Sequence, residues 1–312
     1  MPRIPHFVRT VVAYRPPVAR AFLFMVLATL FAAATNAAIR HITADVHPFM
    51  VTFFRSVFGF VVLVPVLFRY GLAPLRTRRT GMHALRGALQ VAQTLFLFTA
   101  LRFTPLATVA ALHFTAPLFT TVMAVALLGE RIRVRRVAAL IVGFSGVLVI
   151  VRPGTIGLDA GPLLVLGSAA FWGATMVVIK TLTRTDSSLT VTLYTGVFMT
   201  PFSFLFAVFV WEMPDARALA WLLAIGASGS LGQLALAQAF READVTAVLP
   251  LDFLKLIWAA AIGYALFAEV PSLWTWIGGA IIFASAFYIA VRERGPGATS
   301  THTAAPGNGP DD

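Results

Sequence analysis

Three charged side chains, Arg55, Asp252 and Lys255, interrupt stretches of sequence that are otherwise apolar. A charge at the centre of a bilayer costs roughly 2.5–3.5 kcal/mol on insertion scales, so three charges facing lipid would cost about 8–10 kcal/mol. These side chains must therefore face a hydrated cavity or pair with one another. Asp252 and Lys255 are three residues apart and share one helical face. Two interpretations remain open: an ion pair that neutralises itself, or a site for a charged or zwitterionic ligand in which Arg55 is the unsatisfied cation.

An internal repeat relates the two halves of the chain. The segment ALRFTPLATVAALHFTAPLFTTVMAVALLGE at 100–130 resembles AFREADVTAVLPLDFLKLIWAAAIGYALFAE at 239–269. Arg102 corresponds to Arg241 and Glu130 to Glu269, both 139 residues apart (241 − 102 and 269 − 130). The recurrence of these four residues favours a structural role, which for Glu130 and Glu269 could be capping or pairing with arginines in the loops. A duplicated membrane protein places its function where the copies meet.

His113 is the repeat counterpart of Asp252. The repeat symmetry predicts that the two spans carrying them come together, with unlike groups at equivalent positions. Histidine titrates near neutral pH, so His113 and Asp252 are candidates for proton coupling. The alternative for His113 is a neutral ring that bonds to a backbone carbonyl. Pro250, just before Asp252, lacks a backbone donor and can loosen the helix there.

Several amide and aromatic side chains accompany these groups. Gln90 and Gln93 share a helical face, and such amides either join helices, at about 0.6 kcal/mol each, or line a cavity. Gln233 is interpreted as lining a cavity. Trp172 and Tyr194 could stack on a planar ring or serve ordinary packing. The predicted substrate-binding residues are Arg55, Gln90, Gln93, His113, Trp172, Tyr194, Gln233, Asp252 and Lys255.

The composition identifies an integral membrane protein. Of 312 residues, 59% are hydrophobic and 12% charged, whereas soluble domains have about 45–50% and about 25%. The apolar residues fall in blocks of about 18–24 residues, the length of a helix that crosses roughly 30 Å of hydrocarbon. Ten spans are predicted, over residues 20–40, 48–69, 82–101, 105–128, 134–151, 160–181, 188–211, 217–239, 245–268 and 272–291.

The motifs that the sequence lacks exclude several classes of chemistry. There is no cysteine, and no HExxH, CxxC or P-loop motif, so we expect neither a metal nor another cofactor. The net charge of +11 reflects basic loops at a membrane surface. No stacking platform or groove-reading motif accompanies these loops, so no nucleic-acid partner is expected. An intramembrane aspartyl enzyme is disfavoured because Asp252 and His113 lack a second aspartate. A non-transporting scaffold does not explain the charges within the spans.

The distribution of basic residues predicts the orientation. If the N-terminus lies inside the cell, the outside segments hold only Arg40, Arg102, Arg152 and Arg217, while all other basic loop residues lie inside. This bias follows the positive-inside rule. We therefore predict a multi-pass protein of the bacterial inner (plasma) membrane with both termini in the cytoplasm. The sequence makes no prediction of oligomeric state.

Ten spans in two copies give five spans per copy, and an odd number requires the copies to have opposite orientations. LATLFAAATNAAIR in span 1 matches LGSAAFWGATMVVIK in span 6 near the same offset. The predicted fold is an all-α polytopic membrane protein with ten transmembrane helices in two inverted five-helix repeats, an arrangement typical of secondary transporters. The predicted organisation is a basic N-terminal segment at 1–19, a first repeat at 20–152, a second repeat at 160–294 and a disordered tail at 295–312.

These motifs resemble the drug/metabolite transporter superfamily, and within it the EamA type with two five-helix repeats. The most similar segments are FFRSVFGFVV from Phe53, the stretch at 107–130, GASGSLGQLALAQAF at 226–240 and the segment from Ala243 through Pro271. The pieces LRG at 85–87, PLFT at 117–120 and ASGS at 227–230 look most like bacterial S-adenosylmethionine transporters. Riboflavin and amino-acid carriers share the same frame.

The resemblance implies a function and the helices that perform it. It implies a secondary transporter of a small polar or zwitterionic metabolite, with a site between spans 3, 4, 8 and 9 and with spans 1, 2, 6 and 7 as moving walls. The alternative cargo is riboflavin or another metabolite with a planar ring. Because no ATP-binding motif is present, the energy must come from the cargo gradient or from a coupled proton.

Overall fold

The computed structural model describes residues 17–70, 77–129, 134–152, 160–183, 185–243 and 245–292, and these residues form helices and short connections without strands. Helices alternate in direction through the membrane. We call the end of the bundle where the first helix begins the terminal face, and the opposite end the far face. The helices are α1 (Pro17–Ile42), α2 (Pro48–Tyr70), α3 (Thr80–Phe103), α4 (Leu106–His113), α5 (Ala116–Leu128), α6 (Val134–Val151), α7 (Ala160–Leu182), α8 (Ser188–Ala207), α9 (Ala216–Glu242), α10 (Val245–Val248), α11 (Leu254–Phe267) and α12 (Leu273–Arg292).

The helices confirm the predicted polytopic fold. Nine spans within the described residues are long and apolar enough to cross a membrane, and a tenth helix is apolar over Pro48–Val61. Their positions follow the ten predicted spans. The predicted segments 1–19 and 295–312 lie almost wholly outside the described residues.

The fourth and ninth spans are both broken, and the breaks lie at equivalent positions of the repeat. Span 4 consists of α4 and α5, which meet at a turn after His113. Span 9 consists of α10, a 3₁₀ segment at Leu249–Phe253 and α11. The 3₁₀ segment contains Pro250, as expected from its missing backbone donor. Both spans thus change helical geometry halfway through the membrane.

The ends of these two spans are also equivalent. Gly129, with φ 66°, follows α5, and Ala268, with φ 54°, follows α11. A left-handed residue commonly terminates a helix. Glycine adopts this conformation freely, whereas alanine does so at a cost of roughly 1–2 kcal/mol. Backbone hydrogen bonds from Ala268 to Tyr264 and from Glu269 to Gly263, both 3.1 Å, close the helix end.

The two repeats interlock rather than pack as separate bundles. Helix α1 packs against α9 and α11, and its counterpart α7 packs against α3 and α5. The rings of Phe114 and Phe253, which are equivalent in the repeat, stack with centroids 6.0 Å apart. The pseudo-two-fold axis therefore passes between the two broken spans. This arrangement brings spans 4 and 9 together, as the repeat symmetry predicts.

Candidate substrate-binding site

The ion pair between Asp252 and Lys255 lies at the break in span 9. Lys255 Nζ is 2.6 Å from Asp252 Oδ1, and the side chains of Lys255 and Asp252 are 35% and 21% exposed. Asp252 belongs to the 3₁₀ segment and Lys255 to the first turn of α11, so the break itself places both charges on one face. The pair neutralises itself in this state. Its partial exposure leaves both groups accessible to a ligand that replaces one partner.

His113 lies at the equivalent break in span 4. The next residue, Phe114, stacks on Phe253, the neighbour of Asp252, with ring centroids 6.0 Å apart. The Nε2 atom of His113 is buried and has no hydrogen-bond partner within the part of the chain that the structure describes. At this nitrogen, therefore, the ring does not form the hydrogen bond to a backbone carbonyl that was the alternative prediction. The two breaks thus lie side by side, with His113 at one and the pair of Asp252 and Lys255 at the other.

Arg55 reaches the interior from α2, and no carboxylate of the described residues pairs with it. Its guanidinium carbon lies 5.4 Å from the ring centroid of Phe98 on α3, a cation–π contact. Gly229 on α9 faces the same guanidinium, since a Cβ placed on this glycine would lie 3.9 Å from Arg55 Nη2. Among the described residues no ion pair or hydrogen bond involves Arg55. Its positive charge is therefore available to an anionic ligand group.

The predicted glutamines have different surroundings. Gln90 Nε2 donates to Gln93 Oε1 at 2.8 Å, and Gln93 Nε2 donates to Ser168 Oγ at 3.2 Å. Gln93 is buried, and its amide joins α3 to α7. Gln233 is exposed and lies one turn from Gly229, on the helix face that meets Arg55. Gln93 thus forms a hydrogen bond between two helices, whereas Gln233 lies where it could line a cavity next to Arg55.

The two predicted aromatic residues do not lie in one cluster. Trp172 is half-buried on α7, where the neighbouring Phe171 packs edge-on against Phe96. Tyr194 stacks on the ring of His83 with centroids 4.5 Å apart, near the terminal face. Tyr194 therefore belongs to a second group of polar residues.

The repeat-paired residues lie at helix ends. Glu269 forms an ion pair with Arg40 and accepts a hydrogen bond from the backbone of Leu106 at 2.9 Å. This carboxylate thus joins α1, α4 and α11 at the far face. Arg102 is exposed over the ring of Phe103, at 5.9 Å. Glu130 and the side chain of Arg241 lie outside the described residues.

Sequence reasoning missed a hydrogen-bonded group at the terminal face. His83 Nε2 lies 2.7 Å from Asp186 Oδ2, which also accepts a hydrogen bond from Thr77 Oγ1 at 2.8 Å. The hydrogen bonds from His83 and Thr77 lower the pKa of Asp186 below its ordinary value, so its carboxylate is ionised at neutral pH. Arg86 donates to the carbonyl of Val191 at 2.6 Å. No sequence spacing indicates this group, because the paired residues lie over a hundred positions apart.

Trp258 is a second residue that the sequence did not single out. It lies one turn beyond Lys255 on α11, and its indole Nε1 is buried without a hydrogen-bond partner among the described residues. Tryptophan in an apolar helix is ordinarily a packing residue, so nothing in the sequence indicated that Trp258 could contact a ligand. Its position beside Lys255 makes the indole a candidate donor to a ligand.

A cavity of about 390 Å³ opens at the far face. It lies between the connection from α1 to α2 and the start of α9. Its lining includes His47, whose pKa is lowered by burial and by the charge of Arg102. The other polar lining residues include His41, Asp45, Glu212 and Arg217.

Two interlocked halves with broken spans and a charged cluster at the breaks define the class of inverted-repeat membrane transporters. The sequence profile of the EamA-like transporter family matches residues 19–152 and again 159–291. The chain belongs to this family. It is a multi-pass membrane transporter and not an enzyme.

Curated relatives with known names carry different cargo. The chain is 35% identical to a riboflavin transporter of Vibrio cholerae over 237 residues, covering 75% of this chain and 79% of that one. It is 31% identical to the S-adenosylmethionine uptake transporter of Rickettsia prowazekii over 255 residues, covering 82% and 87%. A solved crystal structure of a protein shares the fold with a TM-score of 0.57 at 22% identity, covering 89% of this chain and 99% of that one.

Proposed function

We propose that this protein carries a small zwitterionic metabolite, of the chemical class of S-adenosylmethionine or an amino acid, by alternating access. The observations that carry this proposal are the Asp252–Lys255 ion pair at the break that packs against the break with His113, and the cation Arg55, with which no described carboxylate pairs. A zwitterion supplies a carboxylate for Arg55 and a cation for Asp252. A neutral flavin needs neither group, so the charges favour the zwitterion, while riboflavin remains the second candidate because a relative carries it.

Further residues surround this proposed site. Gln233 supplies an amide from α9, and Trp258 an indole donor from α11. Gln90, Trp172 and Tyr194 remain proposed contacts of a cargo that reaches deeper toward the terminal face. The binding energy comes from opposite charges in a low-dielectric interior, where each ion pair is stronger than in water. The proposed transporter lies in the inner membrane, with repeats at 20–152 and 160–294 and with both termini in the cytoplasm.

Uptake into proteoliposomes tests the cargo class. We expect purified protein to accumulate radiolabelled S-adenosylmethionine or a neutral amino acid, and an excess of unlabelled zwitterion to compete. Liposomes without protein serve as the control. Accumulation of riboflavin with no competition by any zwitterion would overturn the proposed class. A reporter fused to either terminus that is active only in the cytoplasm checks the orientation.

Proton coupling is proposed for His113 and Asp252. We expect uptake to rise when a pH gradient is imposed across the vesicle, because a proton bound at this cluster then moves down its gradient with or against the cargo. His113→Gln should abolish the response to the gradient while cargo exchange between two equal pools persists. Wild-type uptake that is indifferent to the imposed gradient would refute the coupling.

A further inference from the structure

Two glycine–phenylalanine contacts are related by the repeat. RSVF ending at Phe58 corresponds to TGVF ending at Phe198, and Gly87 corresponds to Gly226. In the structure Gly87 on α3 faces Phe198 on α8, and Gly226 on α9 faces Phe58 on α2. Each contact therefore joins one repeat to the other. Because the repeats are inverted, the first contact lies toward the terminal face and the second toward the far face.

The two equivalent contacts are not equally tight. A Cβ placed on Gly87 would lie 2.6 Å from Phe198 Cβ and 3.4 Å from the backbone carbon of Phe198. A Cβ placed on Gly226 would lie 3.2 Å from Phe58 Cβ, and among the described residues no other atom outside its own stretch of helix would lie within 4 Å. The backbones of α3 and α8 thus approach more closely than those of α9 and α2. One interface is closed, and its counterpart is looser.

The surroundings of the two contacts differ in the same sense. On the terminal side, the hydrogen bonds from His83 and Thr77 to Asp186 and from Arg86 to Val191 tie α3 to the connection between α7 and α8 and to α8 itself. We call these hydrogen-bonded groups the terminal latch. The equivalent place on the far side lies between the α1–α2 connection and the start of α9. The 390 Å³ cavity occupies that place.

We infer that the α3–α8 and α2–α9 interfaces are the two alternating gates of the transporter, and that this structure is closed at the terminal face and open at the far face. The terminal latch holds the first gate shut. In the opposite state the latch breaks, Phe58 closes onto Gly226 and the far cavity disappears. This inference rests on the proposed alternating access and assigns positioning roles to Gly87, Gly226, His83 and Asp186.

The same small substitution at the two glycines should act in opposite directions. Gly87→Ala places a methyl group against Phe198 and forces α8 away from α3, which favours the state open at the terminal face. Gly226→Ala fits the present state with a shift of a few tenths of an ångström, but obstructs closure of the far gate. Asp186→Asn removes the charge that holds the latch, and should shift the population in the same direction as Gly87→Ala.

Spin-label distances in the full-length protein measure both gates without any cargo. The chain has no natural cysteine, so labels attach only where cysteine is introduced. Gly81 and Thr185 are exposed on either side of the terminal gate, and Ala44 and Ala220 on either side of the far gate. In Gly87→Ala, double electron–electron resonance in proteoliposomes should show a longer Gly81–Thr185 distance and a shorter Ala44–Ala220 distance than in wild type. Gly226→Ala should keep the short terminal and long far distances.

Two outcomes would contradict the assignment of these two interfaces as gates. One is that both glycine variants shift the distances in the same direction. The other is that neither Gly87→Ala nor Asp186→Asn, each monodisperse in detergent, lengthens the terminal distance. This measurement uses no cargo, so it tests the gates separately from the proposed function. If the proposed function were wrong but the gates correct, the variants would change the distances as expected while uptake of the cargo would be absent. If Gly87→Ala does not fold, Asp186→Asn at the connection between α7 and α8 carries the same test.

Discussion

Asp252→Asn is expected to abolish cargo accumulation in proteoliposomes while leaving folded protein in the membrane. The Asp252 carboxylate lies 2.6 Å from Lys255 Nζ, and its removal leaves that ammonium without its counter-charge. If the carboxylate binds the cation of the cargo, its removal should also weaken cargo binding by roughly a hundredfold, equivalent to about 2.7 kcal/mol. Because the pair is partly exposed, the effect on folding should be smaller than the effect on transport. Lys255→Ala is expected to have the same effect through the uncompensated carboxylate.

A reversed pair separates a binding role from a purely structural one. The double variant Asp252→Lys with Lys255→Asp restores an ion pair on the same helical face. If the pair only neutralises itself, this variant transports like wild type. If the carboxylate binds the cation of the cargo, the variant folds and yet remains inactive, because the two charges have exchanged places relative to Arg55. Wild-type uptake rates in both single variants would show that Asp252 and Lys255 do not bind the cargo.

Arg55→Gln is expected to weaken cargo binding by about a hundredfold, equivalent to roughly 2.7 kcal/mol. Arg55 has a cation–π contact with Phe98 and no carboxylate partner among the described residues, and we propose that it binds the carboxylate of the cargo. Arg55→Lys keeps the charge but loses the planar fork that binds a carboxylate through two hydrogen bonds. The lysine variant should therefore recover only part of the affinity. Concentration-dependent uptake measures both losses.

A cargo without its carboxylate identifies the group that Arg55 binds. The methyl ester of the cargo should bind wild type and Arg55→Gln equally weakly, because the interaction is already absent in either case. Arg102→Gln is the matched control, since Arg102 also lies over a phenylalanine ring but is exposed at the far face. A full additional loss for the ester in Arg55→Gln would show that Arg55 acts elsewhere in the transport cycle.

The length and order of the spans followed from hydrophobicity alone, because a helix that crosses hydrocarbon must satisfy its backbone internally over a known thickness. Pro250 indicated the loosened segment in span 9 because proline removes a backbone donor. The matching break in span 4 was not predicted. Pro117 comes after that turn, inside the first turn of α5, where proline is compatible with an ordinary helix start.

The sequence by itself determined a duplicated membrane transporter, since the repeat, the odd number of spans per copy and the apolar blocks are local properties of the chain. Only the tertiary structure decided which polar groups meet. It paired Gln93 with Ser168 and His83 with Asp186, and it left Arg55 over Phe98. These contacts depend on how α3 packs against α2, against α7 and against the connection between α7 and α8, and packing between helices leaves no periodic signal in either one. The difference in tightness between the two gates also follows only from the tertiary structure. The two gates have equivalent sequences, but in this conformation one is closed and the other is open.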